Sequence, residues 1–207
     1  MEKFGKKKTK KLELAIANSL QLYSSFYPLF YLLESTLKSR LFELLKRKLG
    51  TDWFTVQLDS PKTEPLFDQE KELILRRKPK GFTISDQRFL EESGLGVWVE
   101  FFNRELYKTT KGWPIHVFEN LPKDVKRKDI YVRLVKIKEL RNQLAHSRIP
   151  PLTSTNDLEK LHFIVQTAKE LEEILGWMGS LPPTIISSTG IQEKGKKLKK
   201  QLLGKIQ

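Results

Sequence analysis

The tightest constraint on the fold is an apolar period of three and four residues. In YPLFYLLESTLKSRLFELLKRKLG, leucines fall at 29, 33, 37, 41, 44 and 45. That spacing draws one stripe along a helix and none along a strand. Gly50 follows as a natural stop. The period predicts a helix upstream over 12–26, with Pro28 breaking or kinking the chain. Pro61 and Pro65 mark 55–68 as a loop, and a short helix is expected at 69–76. RRKPKGF is a second break, with a further helical turn or two over 84–91. GLGVWVEFFNRELY reads as one helix packing Val97, Trp98, Phe101 and Phe102. Gly112, Pro114 and Pro122 punctuate 108–123. A long helix from Lys123 to Ala145 carries the stripe Ile130, Leu134, Ile137 and Leu144. A last long helix from Thr155 to Met178 buries Leu158, Leu161, Ile164, Val165, Ala168, Leu171 and Leu175, with Thr155, Asn156 and Asp157 available as caps. Strand signals are few and no repeat is present. The expected fold class is all-α, with four or five main helices.

Charge divides the chain. The net charge is +13. Residues 1–12 hold six Lys against one Glu, and residues 193–207 again hold six Lys against one Glu, so each end carries +5 and the remainder +3. The expected organisation is a basic N-terminal tail over 1–11, a helical domain over 12–178, and a linker with a basic C-terminal tail over 179–207. Both tails are read as flexible, the last one frayed. Such ends either attract RNA, DNA or anionic surfaces without sequence preference, or merely solubilise. No apolar run is long enough to predict a membrane span. MEKFGKKKTKK has no apolar stretch behind it, so no secretory signal is expected. The chain has no cysteine. Disulfides, thiolate nucleophiles and the usual structural zinc sites are thereby excluded, and a cytoplasmic location is expected.

ELRNQLAHSR, residues 139–148, is the stretch with chemistry. Arg141 takes the stripe position between Ile137 and Leu144, and a buried guanidinium there must find partners. Asn142 and His146 share a helix face, about 40° apart, while Arg141 lies about 100° round from Asn142. Arg and His can converge on one phosphate if the helix ends near Ala145, and Pro150 and Pro151 favour an end there. Arginine presents a planar fork to a phosphate. Histidine exchanges a proton near neutral pH. Asparagine can orient the imidazole or cap the helix. RNA suits such a trio, because its own 2′-hydroxyl attacks the neighbouring phosphate without a metal. The same short spacing also arises by chance on ordinary helices.

Three stretches together resemble the Abi-like (abortive-infection) proteins of the HEPN superfamily. YPLFYLLESTLKSRLFELLKRKLGTDWF, residues 27–54, is similar to the family's opening helix. SGLGVWVEFFN, residues 93–103, is similar to its Gly-aromatic-Trp helix start. LVKIKELRNQLAHSR, residues 134–148, carries the Arg-Asn-x3-His signature. The resemblance covers roughly residues 15–178 and implies a HEPN-type helical bundle, commonly a homodimer with both motifs in one cleft. It implies a metal-independent endoribonuclease leaving 2′,3′-cyclic phosphate ends, acting as a toxin or antiviral effector. Arg141 and His146 fall on the superfamily's catalytic pair, and Asn142 on its usual companion. An antitoxin or regulatory protein is an implied partner. Glu34 matches a polar position on the first helix, where it either approaches Arg141 as part of the site or ties two helices together. Many Abi-like proteins continue His-Glu-Pro-Ile after the histidine. Here the chain reads Ser147-Arg148-Ile149-Pro150, without the second histidine and the glutamate. Arg148 also stands where another branch has a modifiable tyrosine. It is read either as a second phosphate contact or as a cation facing the helix dipole.

The remaining candidates read as structural. His116 and His162 lack local ligand partners, and no metal or cofactor is expected. SGLGVW has neither the lysine nor the preceding strand of a phosphate loop. The aromatic residues at 98–102 recur at helical spacing and are read as core rather than as a base-stacking platform. Two other functional readings stay open. One is a non-catalytic HEPN module binding RNA or protein. The other is an interaction protein whose basic ends dock on nucleic acid or membrane.

Overall fold

The computed structural model describes residues 2–50, 53 and 64–204. Among the described residues the fold is all-α, without a strand. α1 (Glu2–Ser24) and α2 (Tyr27–Leu49) are separated by a tight turn at Ser25 and Phe26. Pro28 sits in the first turn of α2, where its missing N–H leaves nothing unsatisfied. It therefore starts a helix rather than kinking one. The leucine stripe of α2 is fully buried at Leu29, Leu33, Leu37, Leu41 and Leu45.

The expected loop over 55–68 lies largely outside the described residues. Its end is helical, because α3 spans Glu64–Leu75. α4 (Asp86–Glu92) begins at Ser85, whose hydroxyl accepts from the Arg88 N–H. The single helix expected over 94–107 is two: α5 (Leu95–Glu100) and α6 (Arg104–Thr109). Asn103 makes the break, since its side chain accepts from the Leu106 N–H at 2.8 Å and caps α6. Trp98, Phe101 and Phe102 are fully buried, and Trp53 meets Phe42, Phe67, Trp98 and Phe101 edge-on. These rings fill the space between α2 and α5.

α7 (Arg127–Ala145) starts four residues later than the expected Lys123. The Lys126 N–H donates to Asp129 Oδ2 at 2.9 Å and fixes that start. α8 (Leu158–Trp177) lies along α7 and follows a short 3-10 turn at Thr155–Asp157. Asp157 accepts from the Thr153 and Ser154 N–H groups.

The C-terminal segment is a correction. In place of a linker and a frayed tail it forms α9 (Pro183–Thr189) and α10 (Ile191–Leu202). α10 packs on both α1 and α8 and buries Ile191, Leu198 and Leu202. Lys194 Nζ donates to Ser25 Oγ and to the Thr189 carbonyl, each at 2.6 Å. At the other end of the chain, the basic run expected as a tail continues as α1 backbone from Glu2.

Candidate functional site

Two helices build the site, and α5 braces them from behind. On α2, Tyr27, Tyr31, Glu34 and Lys38 follow one another at helical spacing, away from the leucine stripe. On α7 the facing residues are Arg141 and Asn142, while Lys138 turns towards Glu100 on α5. The Glu34 carboxylate bridges the pair. Its Oε2 accepts from Arg141 Nη2 at 3.3 Å, and its Oε1 lies 3.5 Å from Lys38 Nζ.

Lys38 is the most enclosed charge here, 8% exposed. Its ammonium donates to the Ser93 carbonyl at 2.6 Å. Ser93 Oγ in turn accepts from Trp98 Nε1 at 2.9 Å. The base of the site is therefore a satisfied network anchored in the aromatic core. Arg141 is half-buried rather than buried. The neighbouring stripe position is filled by Leu140, fully buried, which lets the guanidinium swing to the helix flank. Its Nη1 also donates to Asn142 Oδ1 at 3.2 Å. Glu34 and Asn142 thus fix the plane of the fork and leave further N–H donors facing outward.

Asn142 orients the arginine, not the imidazole. Its backbone carbonyl accepts from the His146 N–H at 3.1 Å. His146 is the C-cap of α7 and is exposed. Ser147 follows in the left-handed region, φ +52°. The Ser147 N–H donates to the Leu144 carbonyl and the Arg148 N–H to the Gln143 carbonyl at 2.8 Å. This is a Schellman stop with serine in the place usually held by glycine. It ends the helix at the histidine and turns Arg148 outward. Among the described residues no hydrogen bond or ion pair joins Arg141 to His146 or Arg148.

Sequence reasoning passed over two features. Lys38 resembles an ordinary surface lysine until its burial is seen. Tyr27 and Tyr31 are 54% and 77% exposed, beside Glu34 on the open face of α2. Their signal was present in the spacing 27, 31, 34, 38, which lies opposite the leucines. Beyond this site, Glu100 on α5 accepts from Asn103 Nδ2 at 2.8 Å and from the Tyr131 hydroxyl at 3.2 Å. Burial, then the Glu100 charge, pushes the Tyr131 hydroxyl pKa above its ordinary value.

His116 and His162 are exposed and lie on other elements. Among the described residues no three His, Asp or Glu side chains cluster as metal ligands. No described helix is long and apolar enough to cross a membrane. Comparison of the chain with family models, with curated proteins and with solved structures finds no match.

Proposed function

We propose that this chain is a HEPN-type endoribonuclease, metal-independent and acting as a toxin or phage-defence effector in the cytoplasm. One observation carries the reading: a half-exposed guanidinium, held flat by Glu34 and Asn142, lies at the same helix end as an exposed histidine cap. In the proposed reaction His146 takes the proton of an RNA 2′-hydroxyl. The 2′-oxygen attacks the adjacent phosphorus, the 5′-oxygen leaves with the proton that the His146 imidazolium returns, and a 2′,3′-cyclic phosphate remains. Arg141 stabilises the charge that develops on the phosphoryl oxygens. Tyr27 and Tyr31 supply ring faces on which unpaired bases stack. Because no hydrogen bond joins Arg141 to His146 within one chain, a homodimer that presents the two motifs to each other is part of the proposal.

A second reading has its own observation. The Glu34 carboxylate already compensates Arg141, as in an ion pair that ties helices together. A non-catalytic HEPN module binding RNA or protein would keep that arrangement.

The deciding experiment incubates total RNA with wild type, Arg141→Ala and His146→Ala in EDTA, after circular dichroism shows all three folded. The ribonuclease reading expects cleavage by wild type to cyclic phosphate ends, with rates lower by about 10²–10⁴ in His146→Ala. Binding of RNA without cleavage by any of the three would leave the second reading standing.

A further inference from the structure

The cleft between α8 and α10 lies apart from the Arg141 site and shares no residue with it. Its walls are fixed. Gly195 brings α10 so near α8 that a Cβ there would come within 2.5 Å of Val165 Cγ2. Lys194 and the buried Ile191 and Leu198 hold the helix in that seat. Beside this close approach the cleft opens to about 540 Å³, within the size range of small-molecule sites.

Its lining has two characters. Leu158, Leu161 and Val165 form an apolar patch. Lys169 comes in from α8, and Lys196 and Lys199 from α10, with Glu159 as the one opposing carboxylate. Lys196 pairs with Glu193, but both are so exposed that water screens the pair. Lys169 and Lys199 have no ion-pair partner among the described residues. Like charges thus face each other across a concave, partly apolar space, which concentrates positive potential there. Gln192 adds an independent sign. Its Nε2 is buried and finds no acceptor among the described residues. An unpaired buried donor costs stability, and a turn of the Gln192 side chain, which lines the cleft, would bring it to a ligand oxygen there.

We infer that this cleft binds a nucleoside phosphate. The phosphate meets the three lysines, the base lies on the leucines and Val165, and a ring carbonyl accepts from Gln192. A fatty carboxylate would satisfy the apolar patch and the charge but leave the Gln192 donor and the His162 ring without polar partners.

The test titrates full-length protein with each of the four nucleoside 5′-monophosphates, with inorganic phosphate and with myristate, by calorimetry. Saturable one-to-one binding of a nucleoside monophosphate is expected, tighter than phosphate or myristate. Lys196→Ala and Lys199→Ala should each weaken it by about tenfold, as loss of one charge-assisted contact does. Gln192→Leu should weaken binding yet raise the melting temperature of the ligand-free protein, a pairing that a purely structural glutamine would not give. Arg141→Ala should bind as wild type. No saturation at millimolar nucleotide overturns the inference. So does phosphate or myristate binding as tightly as nucleotide, or affinity indifferent to all three cleft variants, or loss of binding in Arg141→Ala alone.

Discussion

At the scale of single residues, the decisive balance is around Glu34. One carboxylate serves Lys38 on its own helix and Arg141 on the next. Lys38 is the costlier of the two to abandon, because it is nearly buried and, among the described residues, its other partner is the Ser93 carbonyl. Glu34→Ala should therefore lower unfolding stability by about 2 kcal/mol, read as a shift of the urea midpoint. Lys38→Met added to it should restore most of that loss by removing the stranded charge. A single variant as stable as wild type would reduce the network to surface ornament. The Glu34–Arg141 contact ties α2 to α7 and also reaches the candidate site, so it is compatible with both readings the sequence left open for Glu34. Arg141 was legible as an arginine in want of a partner, since it interrupts an apolar stripe. Ser147 was not legible, because nothing in the text HSR announces a left-handed residue. Its φ of +52° is strained for any residue with a Cβ. Ser147→Gly should stabilise the fold by about 0.5–1 kcal/mol. Unchanged or lower stability would mean that the serine hydroxyl compensates the strain.

At the scale of elements, what could be read from sequence depended on whether local signals agreed with tertiary ones. α2, α7 and α8 were legible because long apolar stripes outweigh everything local. The break between α5 and α6 was not, because the aromatic period runs through it. The signal lay in Asn103 ahead of Arg-Glu, a cap that periodicity alone conceals. α10 was missed for the opposite reason. Its lysines read as a solvated tail, while its apolar stripe is sparse and makes sense only against α1 and α8. Gly195 is the point of that docking, and Gly195→Ala should destabilise by about 1–3 kcal/mol through overpacking against Val165. Limited proteolysis should then release the C-terminal segment early, and Val165→Ala should suppress the defect. α1 is clamped differently. Its Tyr23 hydroxyl donates to the Pro150 carbonyl at 2.9 Å, and Ser19 Oγ exchanges hydrogen bonds with the Leu152 backbone. Burial, and secondarily the Asp157 charge, raises the Tyr23 pKa above its model-peptide value of about 10. The folded state then holds a proton that the unfolded state loses. That contribution is complete below about pH 10 and fades as pH rises, with a slope near 1.4 kcal/mol per pH unit. Denaturation across pH 9–11.5 should show stability falling in wild type and falling less steeply in Tyr23→Phe, since Tyr107 and Tyr131 are raised as well.

At the scale of the whole molecule, the two basic ends are neighbours. α1 and α10 pack along each other, with Asn18 Nδ2 donating to Gln201 Oε1 at 2.5 Å and Gln201 Nε2 to the Lys11 carbonyl at 3.4 Å. The described lysines of the two basic ends thus lie on one pair of helices. Lys10, Lys11, Lys197 and Lys200 are exposed on that pair. This changes how the role of the ends must be tested. Cutting the chain after residue 178 removes buried Ile191, Leu198 and Leu202, each worth about 1.5–3 kcal/mol of apolar burial. The truncated protein should unfold at markedly lower urea, so its loss of RNA binding would report instability rather than charge. Lys197→Glu with Lys200→Glu keeps the apolar seat and lies outside the α8–α10 cleft. If the α1–α10 face guides RNA to the Arg141 site, this pair should leave the urea midpoint within about 0.5 kcal/mol of wild type. It should also weaken RNA binding at low salt, and the slope of log affinity against log salt should become shallower by about one per lost phosphate contact. An unchanged salt slope in a folded double variant would remove this face from RNA recognition and leave its lysines the task of keeping two packed helices in solution.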